Sequence, residues 1–138
     1  MKTSFKINNL SELKTISLEI INLMKENKIF LFYGDMGSGK TTLIGDVCKA
    51  IGIDNPSSPT YGIINQYLSP NFGDIFHIDC YRFIKEIEAI NSGLMELIDE
   101  NEYCFIEWPE KIQNLLPENC VKIHLEVQNN TREITFSL

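Results

Sequence analysis

The chain has 138 residues, 43% of them hydrophobic, which suffices for one domain with a real core and is too short for two of ordinary size. Nineteen acidic residues against twelve basic ones give a formal charge of −7, and the basic residues never form a run, which argues against direct, strong binding to a phosphate backbone. No apolar segment follows the lysines of "MKTSFKINNLSELK", and the longest apolar run, Ile29–Tyr33, is too short to span a bilayer, so a cytoplasmic protein without membrane contact is expected.

In chain order, "TSFKI" alternates polar and apolar residues as an edge strand does. Leu13, Ile16, Ile20 and Leu23 then recur at helical spacing from a start at Ser11. "KIFLFY" is a continuous apolar run, the pattern of a parallel strand buried on both faces. It leads straight into "GDMGSGKTT", residues 34–42, and the helix beyond carries Leu43, Ile44, Val47, Cys48 and Ile51 on its inner side before stopping at Gly52. A loop, "DNPSSPT", precedes two strand-like stretches, residues 61–68 and 74–79, which the turn signal "SPNFG" joins as a hairpin. Residues 83–98 read as helical with a break at Ser92 and Gly93, and "YCFIE" is a second buried strand. "CVKIHLEV" and "REITFSL", joined by "QNNT", form a closing hairpin. Cys48, Cys80, Cys104 and Cys120 are singly spaced, which predicts reduced thiols and neither disulfides nor a structural metal. The expected fold is α/β, a P-loop NTPase-like three-layer sandwich. Its mixed sheet has central parallel strands with antiparallel additions, in one domain over residues 1–138.

Residues 34–42 fit G-x-x-x-x-G-K-[ST], with Gly34, Gly39, Lys40 and Thr41 at the fixed positions, between a buried strand and an amphipathic helix. In that setting the backbone N–H groups of Gly37, Ser38, Gly39, Lys40 and Thr41 point at phosphates, helped by the positive end of the helix dipole. Lys40 then sits near the β- and γ-phosphates, Thr41 offers a hydroxyl to Mg²⁺, and Thr42 faces the α-phosphate side. Asp35 is either a solvated loop carboxylate or a group near the γ-phosphate. Such a loop also needs a carboxylate at the end of a neighbouring buried strand, and both Asp79 and Glu107 qualify. One would hold the metal and the other orient water, unless either merely caps its own loop. His77 shares a strand face with Asp79, as a site residue or a packed core histidine.

Absences narrow the class. No N-K-x-D motif follows the loop and no aspartate has a glycine three residues later, which disfavours a GTPase. Small-molecule kinases use several arginines and a lid, whereas only Arg82 and Arg132 occur here. An ATP hydrolase driving a change in another protein fits the parts best, with a small-metabolite kinase or a nucleotide-gated binding module as alternatives.

The ordered set "GDMGSGKTT", "SPTY" (residues 58–61), "HIDCYRF" (77–83) and "IEWPE" (106–110) resembles the TsaE (formerly YjeE) family, small bacterial ATPases required for threonylcarbamoyladenosine synthesis on tRNA. The resemblance runs from "SELKT" to "LLPENC" and Arg132. It implies binding of ATP and Mg²⁺, low intrinsic hydrolysis, and work on TsaB-like and TsaD-like partners, with tRNA approached only through their complex. It casts Thr60 as a switch-type threonine, Glu107 as the metal-side carboxylate, Trp108 as the aromatic beside it and Asp79 as a second carboxylate needed for activity. By the same resemblance, His77, Tyr81 and Arg82 shape the nucleotide site or the partner surface, and Ser11, Thr15 and Arg132 serve the adenine side. Here Thr131 precedes Arg132, whereas the family often has a glycine beside that arginine.

Overall fold

The computed structural model describes residues 2–54 and 64–138. Within them run β1 (Lys2–Ile7), a 3-10 turn (Leu10–Glu12), α1 (Leu13–Leu23), β2 (Ile29–Tyr33), α2 (Lys40–Ala50), β3 (Ile64–Ser69), β4 (Gly73–Asp79), α3 (Glu86–Asn91), α4 (Leu94–Asp99), β5 (Tyr103–Glu107), a 3-10 segment (Pro109–Leu115), β6 (Val121–Gln128) and β7 (Thr131–Ser137). The seven strands form one sheet in the order β1-β7-β6-β2-β5-β4-β3.

Composition explains the order. The two runs that are apolar on both faces, β2 and β5, lie side by side in parallel near the middle of the sheet, where helices cover both faces. β6 continues the parallel set on one side and β4 on the other. The hairpins β3-β4 and β6-β7 add antiparallel strands, and β1 pairs with β7 at the edge. Asn129, with φ of 57°, helps close the tight turn between β6 and β7. The mixed three-layer sandwich expected from the sequence is the one observed.

Period-two alternation splits the sheet's side chains between two cores. On one face, Phe30 and Phe32 of β2, Phe105 of β5 and Ile123 of β6 pack with Ile16, Ile20, Leu43 and Val47 of α1 and α2. Phe105 meets both Phe30 and Phe32 edge to face, at 5.5 and 6.0 Å. On the opposite face, Leu31, Ile78 and Ile106 pack with Phe83, Ala89, Leu94 and Ile112. Because Ile75, Phe105 and α2 share the first face, residues two positions further along β4 and β5 emerge beside the start of α2. Those residues include His77, Asp79 and Glu107.

The start of α1 differs from the sequence expectation. Glu12, not Ser11, stands at its N-cap, and it makes no side-chain cap bond. The chain leaving β1 tightens into the 3-10 turn first: Glu12 Oε2 accepts from the Asn8 N–H at 2.8 Å, and the Ser11 hydroxyl donates to Asn9 Oδ1. The hairpin strand expected from residue 61 is seen from Ile64, and "SPTY" with Thr60 lies outside the described residues. All four cysteines are free and buried, and burial pushes the thiols of Cys48, Cys80 and Cys104 up to about 12. Among the described residues no helix is long and apolar enough to cross a membrane.

Candidate functional site

The site grows from the junction of β2, the glycine loop and α2. Gly39 is the N-cap of α2 and has φ of 102°, a conformation that side-chain-bearing residues rarely adopt. A Cβ at Gly39 would also come within 2.7 Å of Arg132 Nη1, so the guanidinium from β7 lies directly against the loop. At Gly34 a Cβ would sit 2.5 Å from Ser38 Oγ and 2.9 Å from the Leu125 carbonyl. Gly39→Ala should therefore cost about 1–3 kcal/mol of loop strain and weaken nucleotide binding by about tenfold or more. Calorimetric titration with ATP beside a thermal melt checks this, and unchanged affinity would mean that the loop tolerates the methyl group.

Within the loop, the Ser38 N–H is already bonded to the Asp35 carbonyl at 3.0 Å, so it is spent on the turn instead of facing a ligand as expected from the sequence. The Ser38 hydroxyl is buried and is the one buried side-chain polar atom recorded without a partner among the described residues. A buried hydroxyl left unsatisfied beside a glycine cradle fits an anion that would accept from it. The first N–H groups of α2 likewise lack acceptors within the helix. Asp35 is exposed on the outer rim, and Thr42 is exposed in the first turn of α2.

Lys40 is only 5% exposed. Its ammonium donates to the Gly34 carbonyl at 2.5 Å and lies 3.5 Å from the centre of the Trp108 ring. Burial lowers its pKa, while the carboxylates Glu107, Glu110, Asp79 and Asp35 pull it back up. Glu107, at the end of β5, is buried. The Thr41 hydroxyl donates to both its oxygens, at 2.9 and 3.1 Å, and His77 Nε2 meets Oε2 at 2.6 Å. His77 is buried as well, so one carboxylate joins the loop threonine to a histidine two strands from β2.

Asp79 is the register partner of Glu107, one strand further from the loop. It is half-buried, and its Oδ1 accepts from the Tyr81 N–H at 3.0 Å, which turns the chain out of β4. Trp108 takes a left-handed conformation, φ 55°, that swings the chain from β5 into the 3-10 segment. Its ring packs on Lys40 and, 5.0 Å away, on Tyr81.

The fold thus brings together Gly37, Ser38, Gly39, Lys40, Thr41, His77, Asp79, Glu107, Trp108 and Arg132. Ser11 lines an outer groove between α1 and α2 with Lys14, Ser17 and Asp46, and its hydroxyl donates to Asn9. Two rings escaped the sequence analysis. Tyr33 and His124, register partners on β2 and β6, stack at 4.6 Å and 7° and line a groove of about 660 Å³ with residues 34–38. Arg132 also borders a small pocket with Asn8, Asn9 and Asn130. The end of a buried strand marks Tyr33, but nothing in the sequence places β6 beside it.

A strand-to-helix glycine loop at the carboxyl ends of parallel strands, with its lysine and threonine facing a carboxylate of the adjoining strand, defines a phosphate-loop nucleotide-binding protein. The model of the family described as "Threonylcarbamoyl adenosine biosynthesis protein TsaE" matches residues 7–134. The chain belongs to the TsaE family, which is involved in tRNA threonylcarbamoyladenosine biosynthesis. It is 32% identical over 130 residues to the tRNA threonylcarbamoyladenosine biosynthesis protein TsaE of Rickettsia bellii, covering 93% of this chain and 89% of that one. The TsaE of Bacillus subtilis is 31% identical over 131 residues, covering 94% and 81%. Among solved structures, Bacillus subtilis YdiB superposes with a TM-score of 0.72 at 26% identity, covering 99% of this chain and 84% of that one.

Proposed function

We propose that this chain, as a single ATPase domain, hydrolyses ATP with Mg²⁺ to sustain turnover of a TsaB–TsaD-like complex that forms the threonylcarbamoyl group on the adenosine next to the anticodon of tRNA. The observation that carries the reading is the chain of contacts from Thr41 through Glu107 to His77 at the mouth of the glycine loop. Thr41 and Glu107 are an oxygen donor pair of the hard type that Mg²⁺ takes, brought together by the fold itself. Mg²⁺, once bound, supplies charge neutralisation at the phosphates.

The remaining roles belong to the chain's own groups. The loop N–H groups and the Ser38 hydroxyl hold phosphate oxygens. Lys40 leaves the Gly34 carbonyl and the Trp108 ring to meet the terminal phosphates, His77 fixes the orientation of Glu107, and Asp79 orients the attacking water. Arg132, lying on Gly39, serves the nucleotide side of the loop, and Thr60 is assigned the switch role implied by its motif. Low activity of the isolated chain follows if the partner orders part of the site. The acidic chain need not grip tRNA, which approaches through the complex in the cytoplasm.

The test is to add the purified chain to a TsaB–TsaD-like pair with tRNA, ATP and threonylcarbamoyl-adenylate. Multiple-turnover modification should then depend on the chain and on ATP. Modification that proceeds equally without it would overturn the proposal, and phosphate found on a small metabolite in place of free phosphate would identify a kinase.

A further inference from the structure

Among the described residues, four of the nine large hydrophobic side chains left exposed cluster between residues 81 and 90. Ile84 is 88% exposed, and Ile87 and Ile90 follow at three-residue spacing along α3, whose inner side buries Ala89. The outer face of a surface helix is ordinarily polar, so a run of isoleucines there marks an interaction surface. The segment is held in a fixed shape. Glu88 Oε1 accepts from the N–H groups of Ile84 and Lys85, each at 3.1 Å, and Glu86 accepts from the Asn114 backbone and side chain at 3.1 and 3.3 Å.

Those bonds turn both carboxylates toward the protein's own donors. Arg82, Lys85 and the neighbouring Lys111 have no ion-pair partner among the described residues, although the chain as a whole carries a charge of −7. The result is an apolar stripe with Arg82 and Lys85 at its border and with Lys111 Nζ 5.8 Å from the centre of the Tyr81 ring. It also adjoins the nucleotide site: Tyr81 packs on Trp108, and Trp108 on the Lys40 ammonium.

We propose that Tyr81, Ile84, Ile87 and Ile90, with Arg82 and Lys85 at the rim, dock a protein whose facing surface is an apolar groove edged by carboxylates. The charge complement follows from Arg82 and Lys85, which form no ion pair among the described residues, and a protein is favoured over RNA because three of the four docking side chains are isoleucines and the chain as a whole carries a charge of −7. The inference rests on the proposed function for the identity of the partner pair. A partner seated on Tyr81 touches the ring that packs on Trp108, and Trp108 lies under the phosphate-binding lysine, which ties docking to the state of the nucleotide site.

The experiment measures binding of the full chain to the purified TsaB–TsaD-like pair with ATP present, by calorimetry at two salt concentrations. Wild type should bind, more weakly at high salt, while Ile84→Asp, Ile87→Asp and Lys85→Glu each weaken binding at least tenfold with nucleotide affinity and thermal unfolding of the free chain unchanged. Ile84 lies before the helix and is almost wholly in solvent, so its variant keeps the test valid even if Ile87→Asp disturbs α3. If wild type binds the pair and the variants bind as tightly, the surface is overturned and the proposed function stands. If wild type does not bind the pair, the proposed function itself fails and takes the docking surface with it. Loss of tRNA binding alone in the variants, or a wild-type dimer in light scattering that Ile87→Asp dissolves, would assign the stripe to RNA or to a second copy and overturn the proposal.

Discussion

Lys40→Ala is expected to abolish nucleotide-dependent function while leaving the fold at least as stable as before. The two effects separate because this ammonium is badly placed for stability. It is buried, its pKa is lowered by that burial, and its compensation is one carbonyl and the face of an indole. Truncation removes a desolvated charge, and the price to the fold is the lost packing on Trp108. For binding the sign reverses, because each charge-assisted hydrogen bond to phosphate is worth about 1.5–3 kcal/mol, or roughly 10- to 100-fold in affinity. Calorimetric titration with ATP, a phosphate-release assay and urea unfolding read the three quantities side by side. A pH series adds a further sign. With the folded pKa below 10.5, the unfolded chain binds more protons in the window between them, so wild-type stability rises with pH through that window. The Lys40→Ala variant should lack that rise. A variant that still binds ATP at wild-type affinity would remove Lys40 from the site.

Glu107→Gln should lower Mg²⁺-dependent hydrolysis on the order of 100-fold, an effect of the size seen when groups that hold or orient a metal are removed. Its effect on stability should be far smaller. The amide keeps the shape of the side chain and one acceptor oxygen for Thr41, whereas Glu107→Ala would leave the buried His77 nitrogen without a partner, at about 1–3 kcal/mol, while the exposed Thr41 could turn its hydroxyl to water. Hydrolysis against Mg²⁺ concentration, beside thermal unfolding, distinguishes the two costs. An unchanged Mg²⁺ dependence in Glu107→Gln would transfer the metal role to Asp79.

The choice between those two carboxylates shows where sequence reading stops. Both end apolar runs, and both lie on the face that α2 covers. Strand order separates them: β5 pairs directly with β2, so Glu107 is one strand from the strand that feeds the loop, and Asp79 is two. Order in the sheet depends on contacts distant in sequence, which local periodicity does not record. The parallel centre was legible because β2 and, up to its terminal Glu107, β5 are apolar on both faces, and the hairpins because "SPNFG" and "QNNT" are turn chemistry. The start of α1 was misread for a local reason. Ser11 has the right side chain for a cap, yet its hydroxyl goes to Asn9 while Glu12 takes the Asn8 N–H. The Tyr33–His124 stack was out of reach because β6 reaches β2 only after the whole of the intervening chain has been placed.

Trp108 is the only tryptophan in the chain, and its indole is the surface on which the Lys40 ammonium rests. The protein therefore carries its own optical reporter at the point where phosphate and lysine would meet. Departure of the cation from the ring changes the environment of the sole strong ultraviolet fluorophore, so the order and speed of ligand arrival can be followed in real time without a label. Because the same ring also packs on Tyr81, one signal registers events at both the nucleotide and the outer face.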